Sequence, residues 1–305
     1  MKYTVVLTGE FHPIAREILA GEFDVVAHPN EHGRTEDDMI AILAEADGAV
    51  TLLGDPVTRR VLESNPHLRV VANHAVGYNN IDVDAARELG ITITNTPGVL
   101  TEATADLTMA LLLAVARRIV EGDADVRRTA RVEWEPLFML GSALQGKRLG
   151  ILGMGRIGSA VAVRARAFGM EIFGVHRGNP LDELLATSDF VSIHVPLSRE
   201  TRHLINRETL ARMKKGAYLI NTARGAIVDE EALCDALDAG HLRGAALDVY
   251  EHEPEVNPRL LAMRNVVIVP HIGSATEEAR TAMARIAATD VYRFLKGQKP
   301  LNVVV

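Results

Sequence analysis

The chain has 305 residues, of which 48% are apolar and only 4% aromatic, with a formal net charge of −7. That length suits two domains at the usual ~100–200 residues each, and that composition suits helices packed on parallel strands rather than a β-sandwich. With no basic stripe or polybasic tail, nucleic acid and anionic membrane are poor partners, and small molecules are better ones.

Strand patterns at 4–7, 25–27, 48–52, 68–72 and 91–94 alternate with helical patterns at 14–20, 37–44, 57–62 and 83–89. This alternation predicts a parallel sheet with helices on both faces. Asn95-Thr96-Pro97-Gly98 breaks it, which places a domain crossing there. A long apolar helix is predicted from 101 to about 119. Its most hydrophobic part, 109–116, is stopped by Arg117-Arg118 far short of the ~20 residues needed to span a bilayer. The N-terminus reads as a strand, without a signal-peptide pattern.

A second sheet is predicted from strands at 148–152, 171–175, 190–194, 217–221, 244–248 and 266–269. Cys234, the single cysteine, falls in a helical pattern at 230–239 and reads as a small buried hydrophobe; its solitude fits a reducing cytosol. A last amphipathic helix at about 276–295 returns the chain to the first domain, with 300–305 as a closing strand. The expected fold class is therefore α/β, with two Rossmann-like or flavodoxin-like domains. The first is discontinuous (1–98 plus 285–305), the second spans 99–284, and the active site lies in the cleft between them.

Between strand 148–152 and the helix after it lies Gly153-Met154-Gly155-Arg156-Ile157-Gly158. In that context the glycines have separate duties: Gly153 makes the tight turn, Gly155 lets a pyrophosphate approach the backbone, and Gly158 lets helix and strand pack closely. The helix N-terminus then offers N–H groups to the phosphates. A tight βα turn without ligand is the plainer alternative. An acid about twenty residues on would take the ribose hydroxyls of NAD. Here the strand ends instead in His176-Arg177-Gly178-Asn179, which leans toward the 2′-phosphate of NADP unless Arg177 is only a solvated charge.

Three polar residues stand just beyond predicted strand ends: Arg224, Glu253 and His271. A guanidinium to hold a carboxylate and carbonyl, an imidazolium to donate a proton and a carboxylate to orient it would together reduce a 2-keto acid. Each also has an ordinary reading: Arg224 as a helix-cap ligand, Glu253 as a loop acid before Pro254, His271 as a satisfied histidine beside a turn.

Ordered motifs run along nearly the whole chain: Ala75-Val76-Gly77-Tyr78-Asn79-Asn80-Ile81-Asp82, Asn95-Thr96-Pro97-Gly98, Thr101-Glu102-Ala103-Thr104-Ala105-Asp106, the glycine loop, His194-Val195-Pro196-Leu197, Ile220-Asn221-Thr222-Ala223-Arg224-Gly225, Leu247-Asp248-Val249-Tyr250 and Pro270-His271-Ile272-Gly273-Ser274-Ala275. In these the sequence resembles the D-isomer-specific 2-hydroxyacid dehydrogenases, particularly their glyoxylate/hydroxypyruvate reductase branch. The resemblance implies that Arg224, Glu253 and His271 are catalytic. Substrate would be held by Leu53, by backbone N–H groups of Val76 and Gly77, by Arg224, His271 and Ser274, and by Trp134, the last from a neighbouring subunit of a homodimer. NADP or NAD would be lined by Thr104, the loop from Gly153 through Met154, Gly155, Arg156, Ile157 and Gly158, and by His176, Arg177, His194, Val195, Pro196, Thr201, Thr222, Ala223, Asp248, His271 and Gly273. No metal is implied.

Relatives usually carry a further helix and edge strand after the strand at 171–175, where this chain has only Gly178-Asn179-Pro180 before Leu181. Rival expectations are a phosphoglycerate or phosphite dehydrogenase of the same architecture, or a cofactor-sensing corepressor-like scaffold. The reading adopted is a cytoplasmic, non-membrane, homodimeric NAD(P)H-dependent reductase of glyoxylate or hydroxypyruvate, dimerised through its nucleotide-binding domain, with the apolar helix 105–119 as part of the interface.

Overall fold

Strand and helix alternate through the first hundred residues, as β1 (Thr4–Leu7), α1 (Ile14–Leu19), β2 (Asp24–Ala27), α2 (Glu36–Leu43), β3 (Gly48–Thr51), α3 (Arg59–Glu63), β4 (Val70–Asn73), α4 (Val83–Leu89) and β5 (Thr92–Thr94). A computed structural model describes residues 2–29, 33–175 and 181–305. It divides into one unit of Met1–Leu100 with Ser274–Val305 and another of Thr101–Gly273. The second unit contains α5 (Thr101–Ala116), α6 (Ile119–Thr129), β6 (Arg148–Leu152), α7 (Arg156–Ala167), β7 (Glu171–Val175), α8 (Leu181–Thr187), β8 (Phe190–Ile193), α9 (Arg207–Arg212), β9 (Tyr218–Asn221), α10 (Glu230–Asp238), β10 (Gly244–Leu247), α11 (Pro258–Ala262) and β11 (Val266–Ile268). The last helix, α12 (Glu277–Leu295), belongs to the first unit.

In the first unit the strands pair in parallel in the order β2-β1-β3-β4-β5, a flavodoxin-like order whose switch point lies between β1 and β3. The sheet has a core on each face. One joins Val6, Met39, Leu43, Val61 and Val71; the other sets Val5, Leu7, Val50 and Val70 against Ala284, Ala287, Ala288 and Val291 of α12. Fully buried strands carry apolar side chains on both faces, which is why they read as continuous hydrophobic runs.

The second unit is a six-stranded sheet, β11-β10-β9-β8-β6-β7, whose neighbouring strands all pair in parallel, with its switch point between β6 and β8. Among the described residues no strand continues the sheet beyond β7. Residues 176–180, which carry the sequence-based NADP preference, lie outside the described residues.

Three expectations change. The boundary near 285 would cut α12, whereas the units part at Gly273 and Ser274, because the alanine face of the whole helix is buried in the first core. The long helix ends at Ala116, where Arg118 takes a left-handed φ of 53°, and a separate helix, α6, begins at Ile119. The tail at 300–305 forms a single antiparallel bridge, Thr94 to Val303, with Ile93 bonding Val304 and Val305, rather than a sixth strand.

Candidate active site

The glycine loop sits at the C-terminal end of β6, at the switch point, where open parallel sheets bind ligands. Gly153 has a φ of 99°, and a Cβ there would lie 2.6 Å from the His194 carbonyl oxygen. A Cβ on Gly158 would lie 2.1 Å from the Gly153 carbonyl oxygen, so only glycine lets α7 close onto its strand. Gly155 is different: nothing lies within 4 Å of the Cβ it lacks. It is also the N-cap of α7 and no side chain caps the helix, leaving its first N–H groups for an anion. A dinucleotide pyrophosphate fits this cradle.

Across the switch point, the β8 end brings His194, Val195 and Pro196 beside the glycine turn. Ser192 Oγ lies 2.8 Å from His194 Nε2, and burial drives this imidazole down to about 4, so the ring is neutral. Thr201 accepts from the Ser198 N–H and donates to the Pro196 carbonyl, both at 2.7 Å, which fixes the loop. At the end of β9, Thr222 Oγ1 meets Thr108 Oγ1 at 2.9 Å; Thr108 in turn donates to the Thr104 carbonyl, and Thr104 Oγ1 to the Gly273 carbonyl at 3.0 Å. This buried hydroxyl chain joins three of the predicted cofactor-lining positions. Thr108, unremarked in the sequence, is its middle link; its spacing of four from Thr104 on one helix was the available signal.

Two of the residues expected to be catalytic, His271 and Glu253, are brought together. His271 Nδ1 lies 2.8 Å from Glu253 Oε2, and their side chains are 31% and 35% exposed, open enough to reach a substrate. Burial raises the Glu253 carboxyl, but the hydrogen bond and charge of His271, the Tyr250 N–H at 2.9 Å and the charge of Arg224 outweigh it and hold the group below its ordinary value. His271 has a left-handed φ of 51°. Asp248 holds that turn, one oxygen accepting from the Ile272 N–H at 2.6 Å and the other from the Gly273 N–H at 2.8 Å. Asp248, expected to face the cofactor, thus also shapes the loop that presents the imidazole.

Arg224 follows β9 in extended backbone, its carbonyl accepting from Asn221 Nδ2 at 2.9 Å and its Nη1 donating to the Ala223 carbonyl at 2.7 Å. Burial lowers its pKa and the Glu253 charge pulls it back up, which puts the guanidinium within the field of the pair. A Cβ on the next residue, Gly225, would lie 1.9 Å from the Tyr250 carbonyl carbon, so the Arg224 and Glu253 loops touch through a glycine. Tyr250, not singled out in the sequence, anchors its loop through Oη to the Val269 carbonyl at 2.8 Å.

In the first unit, Leu53 follows β3, Val76 and Gly77 follow β4, and Ser274 opens the returning segment; all four are half-buried. Trp134 is 94% exposed in an irregular stretch after α6 where Val132, Leu137 and Leu140 are also exposed. Helix α5 buries Ala105, Met109, Leu111, Leu112 and Val115 in its own unit, while Leu107, Leu113 and Ala114 are only partly buried. Cys234 is buried and burial pushes its thiol up to about 11, which leaves it inert.

A phosphate cradle at the switch point and an imidazole–carboxylate pair on the loops of neighbouring strands define a nicotinamide-dependent oxidoreductase. A family model described as "D-isomer specific 2-hydroxyacid dehydrogenase, NAD binding domain" matches residues 109–273. The chain is 51% identical over 277 residues to a glyoxylate reductase of Thermococcus litoralis, covering 85% of this chain and 84% of that one. It is 45% identical to a glyoxylate reductase of Pyrococcus horikoshii, covering 100% and 96%. This second alignment spans 321 positions against a chain of 305 residues, so that relative carries residues this chain lacks. A solved structure of an NADPH-dependent glyoxylate/hydroxypyruvate reductase from Sinorhizobium meliloti, in complex with NADP and malonate, superposes with a TM-score of 0.86 at 30% identity, covering 100% of this chain and 97% of that one. The chain belongs to the D-isomer-specific 2-hydroxyacid dehydrogenases.

Proposed function

We propose that this protein reduces a small 2-keto acid, glyoxylate or hydroxypyruvate, to the D-2-hydroxy acid. The observation that carries this reading is the His271–Glu253 pair at 2.8 Å, with a charged Arg224 in its field. A reduced nicotinamide dinucleotide, its pyrophosphate held at the Gly153 to Gly158 turn, would supply the hydride. Arg224 and the backbone N–H groups of Val76 and Gly77 hold the substrate carboxylate, and Leu53 and Ser274 bound its small side. His271 gives its proton to the developing alkoxide, while Glu253 keeps the imidazole oriented and stabilises its charged form.

NADP is favoured over NAD because His176-Arg177-Gly178-Asn179, directly after β7, offers an arginine and no acid; the NADPH-dependent relative is consistent with this. A homodimer is favoured by the exposed Val132, Trp134, Leu137 and Leu140, an apolar surface that a second copy would cover. From there Trp134 would limit the partner's substrate size. No described helix is long and apolar enough to cross a membrane, and the lone cysteine suits the cytoplasm.

The test is spectrophotometric: oxidation of NADPH and NADH against glyoxylate, hydroxypyruvate, pyruvate and larger keto acids. Turnover of the two-carbon and three-carbon acids with NADPH preferred is expected. No oxidation with any of them would overturn the reading.

A further inference from the structure

The turn proposed to receive the substrate carboxylate is held from behind by side chains that no catalytic pattern singles out. Three consecutive carbonyls of this turn are engaged: Ala75 by the Thr96 N–H at 2.9 Å, Val76 by Asn95 Nδ2 at 2.8 Å and Gly77 by Asn73 Nδ2 at 2.8 Å. In a trans peptide each C=O points opposite to the N–H of the next residue. Fixing those three carbonyls therefore turns the N–H groups of Val76, Gly77 and Tyr78 away from their holders, the disposition of a backbone anion cradle.

Asn73 is fully buried at the end of β4. Its Nδ2 also reaches Asn80 Oδ1 at 3.3 Å, and Asn80 donates to the carbonyls of Leu52 at 3.3 Å and Asp55 at 3.0 Å. Asp55 is paired with Arg34 at 3.1 Å, each side chain 2% exposed. One buried network thus sets both loops assigned to substrate in this unit, the one with Leu53 and the one with Val76 and Gly77.

We infer that Asn95 and Asn73 are positioning residues that aim the backbone N–H groups of this turn at the substrate carboxylate. The inference rests on the reductase reading and adds to it which side chains select for a carboxylate-bearing substrate. Neither asparagine touches the reacting carbon, so their effect follows the carboxylate rather than the carbonyl.

The experiment compares glyoxylate with its methyl ester, which keeps the aldehyde and loses the negative charge. In Asn95→Ala and Asn73→Ala the ratio of kcat/KM for glyoxylate to that for the ester falls about tenfold or more, carried mainly by the KM for glyoxylate, as expected for the loss of a hydrogen bond to a group that must stay fixed. NADPH affinity stays as in the wild type. Equal losses on both substrates, or no loss on either, would overturn the inference; wild-type enzyme inactive on glyoxylate and on every other keto acid tested would instead overturn the reductase reading. Should the alanine variants fail to fold, isosteric Asn95→Asp keeps the shape. Its protonated carboxyl can still donate to Val76 and its carboxylate cannot. Its KM for glyoxylate, relative to wild type, then rises as the medium is made more alkaline, and a pH-independent ratio would count against the inference.

Discussion

His271 is held in a backbone conformation that a residue with a Cβ adopts rarely, and two hydrogen bonds to Asp248 from the residues after it keep the turn in place. This arrangement aims one ring nitrogen at Glu253 and leaves the other for a substrate. His271→Ala is expected to lower kcat by about 10²–10⁴-fold, the usual worth of a general acid, with cofactor affinity unchanged in a fluorescence titration. Glu253 has its pKa depressed in the fold, so its contribution is present above the ordinary carboxylate value and is lost as pH falls through the lower folded value. The acid limb of kcat/KM that belongs to Glu253 therefore lies below ~4.3, and Glu253→Gln should remove that limb while lowering kcat. At this scale strand-end position drew attention to Arg224, Glu253 and His271, but only the family resemblance lifted them above their ordinary readings; what the structure adds is the 2.8 Å contact between His271 and Glu253. Asp248 as a clamp, Tyr250 and Thr108 were not legible, since their duties depend on which loops meet across the sheet, and no local spacing encodes that.

The turn between β6 and α7 separates two uses of glycine that look alike in sequence. A methyl group on Gly158 would collide with the Gly153 carbonyl, whereas one on Gly155 would meet only open space. Gly158→Ala should therefore lower the thermal midpoint by several degrees, consistent with a cost of about 1–3 kcal/mol for overpacking. Gly155→Ala should melt as the wild type does and bind NADPH more weakly; equal melting shifts for the two would contradict this division. Most elements were legible because buried parallel strands are unbroken apolar runs and the helices between them keep a 3.6-residue period. α6 was missed for a physical reason. None of its residues is buried, its Ile119, Val120 and Val126 lie exposed, and ion pairs such as Arg118–Glu121 at 2.7 Å and Arg127–Asp123 at 2.8 Å run along it, so no core stripe marks it out.

For the molecule as a whole, acid stability depends on two histidines outside the His271–Glu253 pair, His194 and His74. His74 is 6% exposed, its ring edge-on to Phe11 at 5.0 Å, and burial, helped by the charge of Arg280, lowers it from 6.5 to about 4. Between those values the unfolded chain binds a proton that the native ring refuses, so stability declines as pH falls from about 6.5 to about 4 and levels off below. The loss from His74 amounts to about 3 kcal/mol at ~1.4 kcal/mol per pKa unit. Urea unfolding across this range should show the slope in the wild type and a flatter profile in His74→Gln. Replacing Trp134 and Leu137 together by Ser should yield a monomer by light scattering if the exposed stretch pairs with a second copy. The discontinuous first unit was legible from the returning helix, although its starting point was not, because an amphipathic helix does not announce which sheet will cover it. That interruption has a consequence for how the protein is made. The face of β1, β3 and β4 that carries Val5, Leu7, Val50 and Val70 is sealed by α12, which the ribosome delivers only after the whole second unit. The first unit therefore waits for the second before it can mature, and its bare apolar face is where a nascent-chain chaperone would be needed.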